Sequence, residues 1–176
     1  MELKSLEGCR LRIGSYPPFF YNASGGGGKG NYIPTKSNNI VFLSFKSKNF
    51  SIPPLTTKTT RFLSLPLPPG LKIEMSMDKL EGTINKKSGE ILFKFKSRFI
   101  FSIGNIIKFP DLLIKTSLTT GKVKGNLHEG KGLVLKENGK TKLVGICIIP
   151  PTNNKIIDKF LGLPNEALAE LQCEIK

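Results

Sequence analysis

An alternating pattern runs through Ile91-Leu-Phe-Lys-Phe-Lys-Ser-Arg-Phe-Ile-Phe-Ser-Ile103, and it is the clearest structural signal in the chain. Successive side chains of a β-strand point to opposite faces of the sheet, so this alternation is typical of a long, half-buried strand. One face is mainly aromatic and the other is mainly basic. The pattern therefore predicts a strand whose inner face carries Phe93, Phe95, Phe99 and Phe101.

The same alternation extends outward from this strand in both directions. Leu71–Met77 sets Ile and Met against Lys and Glu, and Leu143–Ile149 is a shorter apolar run. The loop Asn85–Glu90 separates two of these predicted strands. Asn138-Gly139 separates another pair and is a strong hairpin signal, because a type I′ turn needs positive φ at both central residues. These patterns predict about seven to nine antiparallel strands.

Two short helices are expected between the strands. Asn153–Leu161 has apolar residues at helical spacing and asparagine at its start, where a side chain can cap the first turn. Thr56–Leu63 is also predicted as a helix, although it is rich in threonine, which has a low helix propensity.

An internal repeat links these two segments. Ile52-Pro-Pro and Ile149-Pro-Pro each end a predicted strand, because proline cannot continue the hydrogen-bonded ladder. Phe-Leu-x-Leu-Pro follows in both places, beginning at Phe62 and at Phe160. We therefore expect both segments to follow the same strand–turn–helix–turn–strand path, with the two phenylalanines buried in equivalent positions.

Together these features predict an all-β fold. We expect an antiparallel barrel-like structure or a two-sheet sandwich, with an internal pseudo-two-fold repeat and two short helices. A length of 176 residues suits one domain, so residues 1–176 are expected to form a single β-rich domain. Apolar residues make up 39% of the chain, which excludes a wholly disordered protein.

The net charge of +14 raises the question of an anionic partner. Only four of the 27 basic residues are arginine, the side chain best suited to bidentate contacts with phosphate and guanine, so the composition argues against nucleic acid. Lysines occur in pairs two residues apart, such as Lys94 and Lys96, as on the solvated face of a strand. One alternative stays open: a peripheral protein that docks a lysine-rich face on an anionic membrane or protein surface.

The side chains that carry out most catalysis are scarce and scattered. His128 is the only histidine, and the three cysteines (Cys9, Cys147 and Cys173) are too far apart in sequence for a disulfide framework or a zinc site. No pair of carboxylates has a catalytic spacing. We therefore expect no catalytic residues, no metal and no cofactor, and the composition disfavours an enzyme.

Two local motifs have plain structural explanations. Gly25, Gly27 and Gly30 fit a dinucleotide-binding pattern, but no helix follows that could bind a pyrophosphate, so we expect a flexible loop. The segment Met1–Gly8 contains two acids and lacks the apolar stretch of a signal peptide. We therefore expect a cytoplasmic protein, at most peripheral to a membrane.

The aromatic face is the one candidate binding site. Met75 lies on a neighbouring predicted strand, and together with the phenylalanines it forms either a filled core or the wall of an apolar pocket. Filling of the core is the default, because protein interiors are close-packed. A pocket would bind an apolar small molecule, without any cofactor, at Phe93, Phe95, Phe99, Phe101 and Met75.

Six sequence segments, spread over most of the chain, form a recognisable set without any catalytic signature. They are Leu65–Ile73, Leu80–Ile84, Phe101–Gly104, Leu112–Thr120, Leu143–Gly145 and Phe160–Ala169. As a set, these segments resemble an uncharacterised family of cyanobacterial and plant plastid proteins that has no assigned function. The resemblance implies a protein of photosynthetic cells and assigns no site residue. Together with the scarcity of catalytic side chains, it favours a non-catalytic binding or accessory protein.

Overall fold

The protein consists almost entirely of antiparallel β-strands in this computed structural model, which describes residues 1–104 and 106–176. One segment within those ranges forms an α-helix. The elements, in chain order, are β1 (Glu2–Ser5), β2 (Cys9–Ile13), β3 (Phe19–Tyr21), β4 (Gly27–Pro34), β5 (Ile40–Ser51), β6 (Thr60–Phe62), β7 (Leu65–Pro66), β8 (Leu71–Asn85), β9 (Ile91–Ile103), β10 (Ile107–Lys108), β11 (Leu112–Thr119), β12 (Lys122–Lys124), β13 (Glu129–Lys131), β14 (Lys140–Ile149), α1 (Lys155–Leu161) and β15 (Asn165–Ile175).

Most of these strands follow one another around a ring. The order β1-β4-β5-β8-β9-β11-β14-β15 returns to its start, because β1 pairs with both β4 and β15. Next to β1, the same edge of β15 also pairs with β2, and β3, β6 and β7 continue the sheet from there. The predicted antiparallel, β-rich fold is confirmed, and its strands ring round without forming a regular barrel, because β11 and β14 share one residue pair.

The ring encloses a packed cluster, the first core, around Phe93. This side chain is fully buried, and its ring meets Phe45 edge-to-face with the centroids 6.0 Å apart. Leu3, Ile84 and Leu143 pack into the same cluster from three other strands. Burial of large apolar side chains contributes about 1.5–3 kcal/mol each, so this cluster stabilises one half of the ring.

A β-bulge keeps the long β8–β9 hairpin facing the interior. The register of β8 against β9 shifts between Met77 and Lys79. Met77 and Leu80 are therefore both buried although they are three residues apart. Without the extra residue, Leu80 would point to solvent, because strand side chains alternate between faces. The long alternating strand predicted from the sequence is β9, and its aromatic face points inward as expected.

The helix predicted at Asn153–Leu161 is present as α1, and the local sequence explains both of its ends. The side-chain oxygen of Asn154 accepts hydrogen bonds from the backbone N–H groups of Ile156 and Ile157, at 3.1 and 3.2 Å. These bonds satisfy donors of the first turn that have no partner within the helix. Gly162 ends the helix in the left-handed conformation, with a φ of 63°.

The helix predicted over Thr56–Leu63 is wrong. A turn precedes β6 in this segment, and the chain continues as a hairpin into β7. The hydroxyl of Thr59 donates to the carbonyl oxygen of Pro54 at 2.8 Å and accepts from the backbone N–H of Thr56 at 2.9 Å. Such side-chain bonds to nearby backbone compete with helical ones and favour the turn.

The predicted repeat is not confirmed, because the two matching segments follow different paths. Phe62 lies in β6, where it is half-buried and stacks on Phe19 with the ring centroids 4.6 Å apart. Phe160 lies in α1 and is 62% exposed, since Ile157 and Leu161 occupy the inward face of the helix. The expected burial of Phe160 is therefore wrong, and the shared letters specify a strand in one place and a helix in the other.

The glycine-rich segment belongs largely to the sheet, so the predicted flexible loop is wrong for Gly27 and Gly30. Both lie in β4, between β1 and β5. A Cβ atom at Gly27, where φ is 120°, would collide with the carbonyl oxygen of Leu3. A Cβ atom at Gly30 would press on the ring of Phe45. Glycine is therefore what allows three strands to approach closely where the ring closes.

Gly27→Ala is expected to lower the free energy of unfolding more than Gly25→Ala does. Both residues have positive φ, 120° and 88°, so both substitutions strain the backbone. Only the first also drives a methyl group against β1, a clash that costs about 1–3 kcal/mol more. Gly25 has open space around it. Urea unfolding of the two variants measures the difference, and equal losses would show that this contact does not constrain β1.

Candidate ligand-binding cavity

A cavity of about 280 Å³ lies in the half of the ring away from the first core. Inward-facing residues of β8, β9 and β11 form one wall, and those of β14, β15 and β2 form the other. Buried side chains around it form a second core, which includes Ile13, Leu55, Leu112, Ile149 and Leu161. The cavity is therefore an unfilled part of the interior and not a surface groove.

Separation of the strands creates this space. β11 and β14 share the ladder pair Thr119–Val144, and beyond it the hydroxyl of Thr116 donates to the carbonyl oxygen of Ile146 at 2.8 Å. A side-chain bond therefore stands where a regular sheet would have backbone bonds. The edge of β15 changes partner in the same region, from β1 to β2. The ring is narrow beside β1 and wide beside β2.

Side-chain size widens the same region further. The wall on β14 and β15 carries small residues, whereas the wall on β9 carries phenylalanines. Small residues set against large ones normally fill a core completely. Here the two walls stand too far apart for that, so space remains next to Gly145, Cys147, Ala167 and Ala169.

The wall offers no free polar group among the described residues that line it. Tyr16 and Thr116 carry its only hydroxyls, and both are engaged, with the carbonyl oxygens of Phe160 and Ile146 respectively. Burial, together with the nearby charge of Glu166, raises the pKa of the Cys147 thiol to about 11, so the thiol stays neutral at physiological pH. The space therefore suits a molecule without charged or strongly polar groups.

The structure places the predicted site residues in three environments. Phe95, Phe99 and Phe101 line the cavity. Phe93 lies on the same face of β9 but packs in the first core. Met75 is half-buried beside the second core and borders a separate depression between β5 and β8. Three of the five residues are therefore brought together at the cavity.

Sequence reasoning missed the opposite wall. Gly145, Cys147, Ala167 and Ala169 carry no chemical group that indicates binding, and their signal is a run of small residues at alternate positions of two strands. That signal becomes meaningful only when the two strands are known to be neighbours facing β9.

Exposed residues of the cavity lining lie on α1 and on the loop that joins β2 to β3, and we call this place the mouth. Tyr16 and Phe160 line the cavity and are also 39% and 62% exposed, so they stand at the mouth. Their ring centroids are 6.2 Å apart, and the Tyr16 hydroxyl donates to the Phe160 carbonyl oxygen. The loop and the helix are thus tied together beside the opening.

Next to the cavity, the loop that follows β12 wraps around one buried carboxylate. Glu166 accepts hydrogen bonds from the backbone N–H groups of Asn126, Leu127 and His128, at 2.7, 3.0 and 2.7 Å. Burial raises the pKa of this carboxyl, but the three hydrogen bonds and the nearby His128 outweigh it and hold the pKa below its usual 4.5. A nest of N–H groups that binds anions in other proteins is therefore filled here by the chain itself.

Glu166→Gln is expected to make the stability of the protein less sensitive to acid. A lowered pKa in the folded state stabilises the fold above pH 4.5, and this contribution disappears as the pH falls through the folded-state pKa. The variant should therefore be less stable than the wild type near neutral pH, and the gap should narrow as the pH falls below 4.5. Thermal unfolding at both pH values measures it, and a constant gap would contradict the role of the ionised carboxylate.

No family model, no curated protein and no solved structure matches this chain. In the part of the chain that the structure describes, no helix has the length and apolar character needed to cross a membrane. Across the same residues, no three or more histidine, cysteine, aspartate or glutamate side chains gather where they could hold a metal ion. Function is therefore inferred from the cavity and its mouth.

Proposed function

We propose that this chain is a non-catalytic binding protein that holds an apolar small molecule in the cavity. The observation that carries the proposal is an apolar space of about 280 Å³ in which the hydroxyls of both polar lining residues are already engaged. Phe95, Phe99 and Phe101 supply the aromatic surface against which the ligand packs. From the sequence resemblance to cyanobacterial and plastid proteins we also propose an accessory role in photosynthetic cells.

An unfilled interior of this size represents a large loss of stability. Side chains that line unfilled space lose the contacts that a close-packed interior provides. The whole stability of an ordinary domain is only about 5–15 kcal/mol, so the loss of such contacts matters. A ligand that fills the space restores many of these contacts, which favours a binding site over a fault in packing.

The volume also indicates the size of the ligand. An apolar cavity of about 150 Å³ stays dry and takes up one benzene molecule. The present cavity is nearly twice as large, so it suits a short acyl chain or a two-ring compound. A longer chain would have to extend through the mouth past Tyr16 and Phe160.

A series of straight-chain primary alcohols tests the proposal. Each methylene group buried in the cavity contributes about 0.8 kcal/mol, so the dissociation constant is expected to fall about fourfold per added carbon until the space is full. Displacement of the two-ring fluorescent probe 1-aminonaphthalene measures these constants. If the dissociation constants do not change with the length of the alcohol, its alkyl chain is not buried and the proposal fails.

Two substitutions on β11 separate the cavity from the packed core. Ile114 lines the cavity, whereas Leu118, four residues later on the same inward face, belongs to the first core. Ile114→Phe should fill empty space, weaken probe binding about tenfold and preserve stability. Leu118→Phe should overpack the first core, lower the free energy of unfolding by about 1–3 kcal/mol and leave probe binding unchanged.

Probe titration and urea unfolding of both variants measure these effects. Since the two substitutions lie on one strand and both introduce phenylalanine, each serves as the control for the other. If Ile114→Phe is less stable than the wild type and still binds the probe, the added ring has not entered empty space. The cavity would then be closed in solution.

A further inference from the structure

The five most exposed large apolar side chains lie at one end of the molecule. The most exposed large apolar residue is Ile106, at 93%, and the next is Ile156, at 70%. Leu63, Leu65 and Phe160 follow, and every other large apolar side chain described is less exposed than these five. All five lie at the end of the ring where the cavity opens.

The strand registers explain why they share this end. Ile103 of β9 pairs with Leu71, which lines the cavity, so the turn that carries Ile106 lies at the same end. Phe62 pairs with Phe19, and both line the cavity, so the turn of the β6–β7 hairpin lies there too. These two turns and α1 therefore surround the mouth; we call this surface the mouth end.

The outward face of α1 is apolar and basic at once. Ile157 and Leu161 point into the second core. Ile156 and Phe160, also four residues apart, are exposed, with Phe160 beside the mouth. Lys155 and Lys159 are exposed beside them. A helix whose inward face is already buried needs no second apolar stripe for folding, so the outward stripe calls for a partner.

Positive charge dominates the mouth end. Arg61, Lys108, Lys155 and Lys159 are exposed, and none forms an ion pair with a described carboxylate. The carboxylates nearby keep their charge but have local hydrogen-bond or ion-pair partners. The carboxylate of Asp158 accepts from Thr152 and Asn153, and that of Asp111 lies 4.0 Å from Arg98.

We propose that the mouth end docks on an anionic lipid bilayer, with its apolar side chains among the acyl chains and its cations at the headgroup phosphates. Apolar tips surrounded by lysine and arginine match a surface that is anionic outside and hydrocarbon beneath. In this orientation the cavity opens onto the membrane and exchanges its apolar ligand with it. This exchange rests on the ligand-binding function proposed above, whereas the docking does not.

The lysine-rich strand face expected from the sequence is a second basic surface, with which the mouth end can be compared. Lys94 and Lys96 lie on the outward face of β9, and Lys96 is 3.8 Å from Asp78. Glu81 on β8 pairs with Lys79 at 2.7 Å on the same face. This face therefore carries carboxylates among its lysines, and it lies along the side of the ring, away from the mouth.

Vesicle binding distinguishes the two surfaces. The wild type is expected to co-sediment with vesicles of equimolar phosphatidylcholine and phosphatidylglycerol, and much less with phosphatidylcholine alone. Lys155→Gln with Lys159→Gln should lower the partition coefficient about 30-fold, because each basic residue near an anionic surface contributes about a factor of five. The matched pair Lys94→Gln with Lys96→Gln should leave the partition coefficient unchanged.

A single tryptophan reports which end enters the bilayer. The chain contains no tryptophan, so Ile156→Trp introduces the only indole, and Leu92→Trp places one on the outward face of β9 as the control. Emission from Ile156→Trp should shift to the blue when anionic vesicles are added. Emission from Leu92→Trp should not move. Neither residue lines the cavity, so ligand binding is preserved.

The outcomes separate docking from ligand binding. Loss of vesicle binding in the β9 pair but not in the α1 pair, or no blue shift in Ile156→Trp, would overturn the mouth-end assignment. Uptake of 1-aminonaphthalene without vesicles reports ligand binding alone. Normal uptake with no vesicle binding would overturn the docking and leave the cavity function standing. Vesicle binding without uptake would support docking and overturn the ligand function.

Discussion

The single ladder pair between β11 and β14, Thr119 with Val144, is the constraint on which the rest of the structure depends. Gly145 follows on β14, and a Cβ atom there would lie 2.7 Å from the Thr116 hydroxyl and 2.8 Å from the carbonyl oxygen of Ser117. Glycine therefore allows the two strands to approach closely where they cross. Beyond the crossing they part, and a side-chain hydrogen bond replaces the ladder. The ring is consequently packed on one side of this point and hollow on the other.

The two halves of the ring therefore have different physical properties. Around Phe93 and Leu143 the side chains are fully buried and belong to one packed cluster. Around Phe95 and Phe99 the side chains are only half-buried and face empty space. Stability is rarely uniform across a protein, and binding regions are usually drawn from its less stable part. The division lets one half tolerate a cavity because the other half holds the strands in place.

Local signals in the sequence predicted local structure well. The alternation of β9 and the cap of α1 depend on neighbouring residues, and both were identified. The failures arose where the same letters meet different surroundings. Phe-Leu-x-Leu-Pro forms a hairpin at Phe62 and the end of a helix at Phe160, because the threonines before the first bind the backbone locally. Whether the aromatic face was core or pocket could not be decided from β9 itself. Phe93 meets Phe45 across the interior, whereas Phe99 faces a wall of small residues, and both partners come from distant strands.

Exposed apolar side chains at the mouth end favour self-association, and the charge of the protein opposes it. Exposed apolar patches promote self-association, and here Ile106 and Ile156 project almost freely. A net charge of +14 makes the molecules repel one another, and Lys155 and Lys159 place part of that charge directly beside the patch. Repulsion between like-charged ends opposes self-association through this surface, while the same cations would attract an anionic bilayer. If the proposed docking holds, the excess of lysine thus has a role at the mouth end that its even spread along the sequence conceals: it favours a lipid surface over a second copy of the chain.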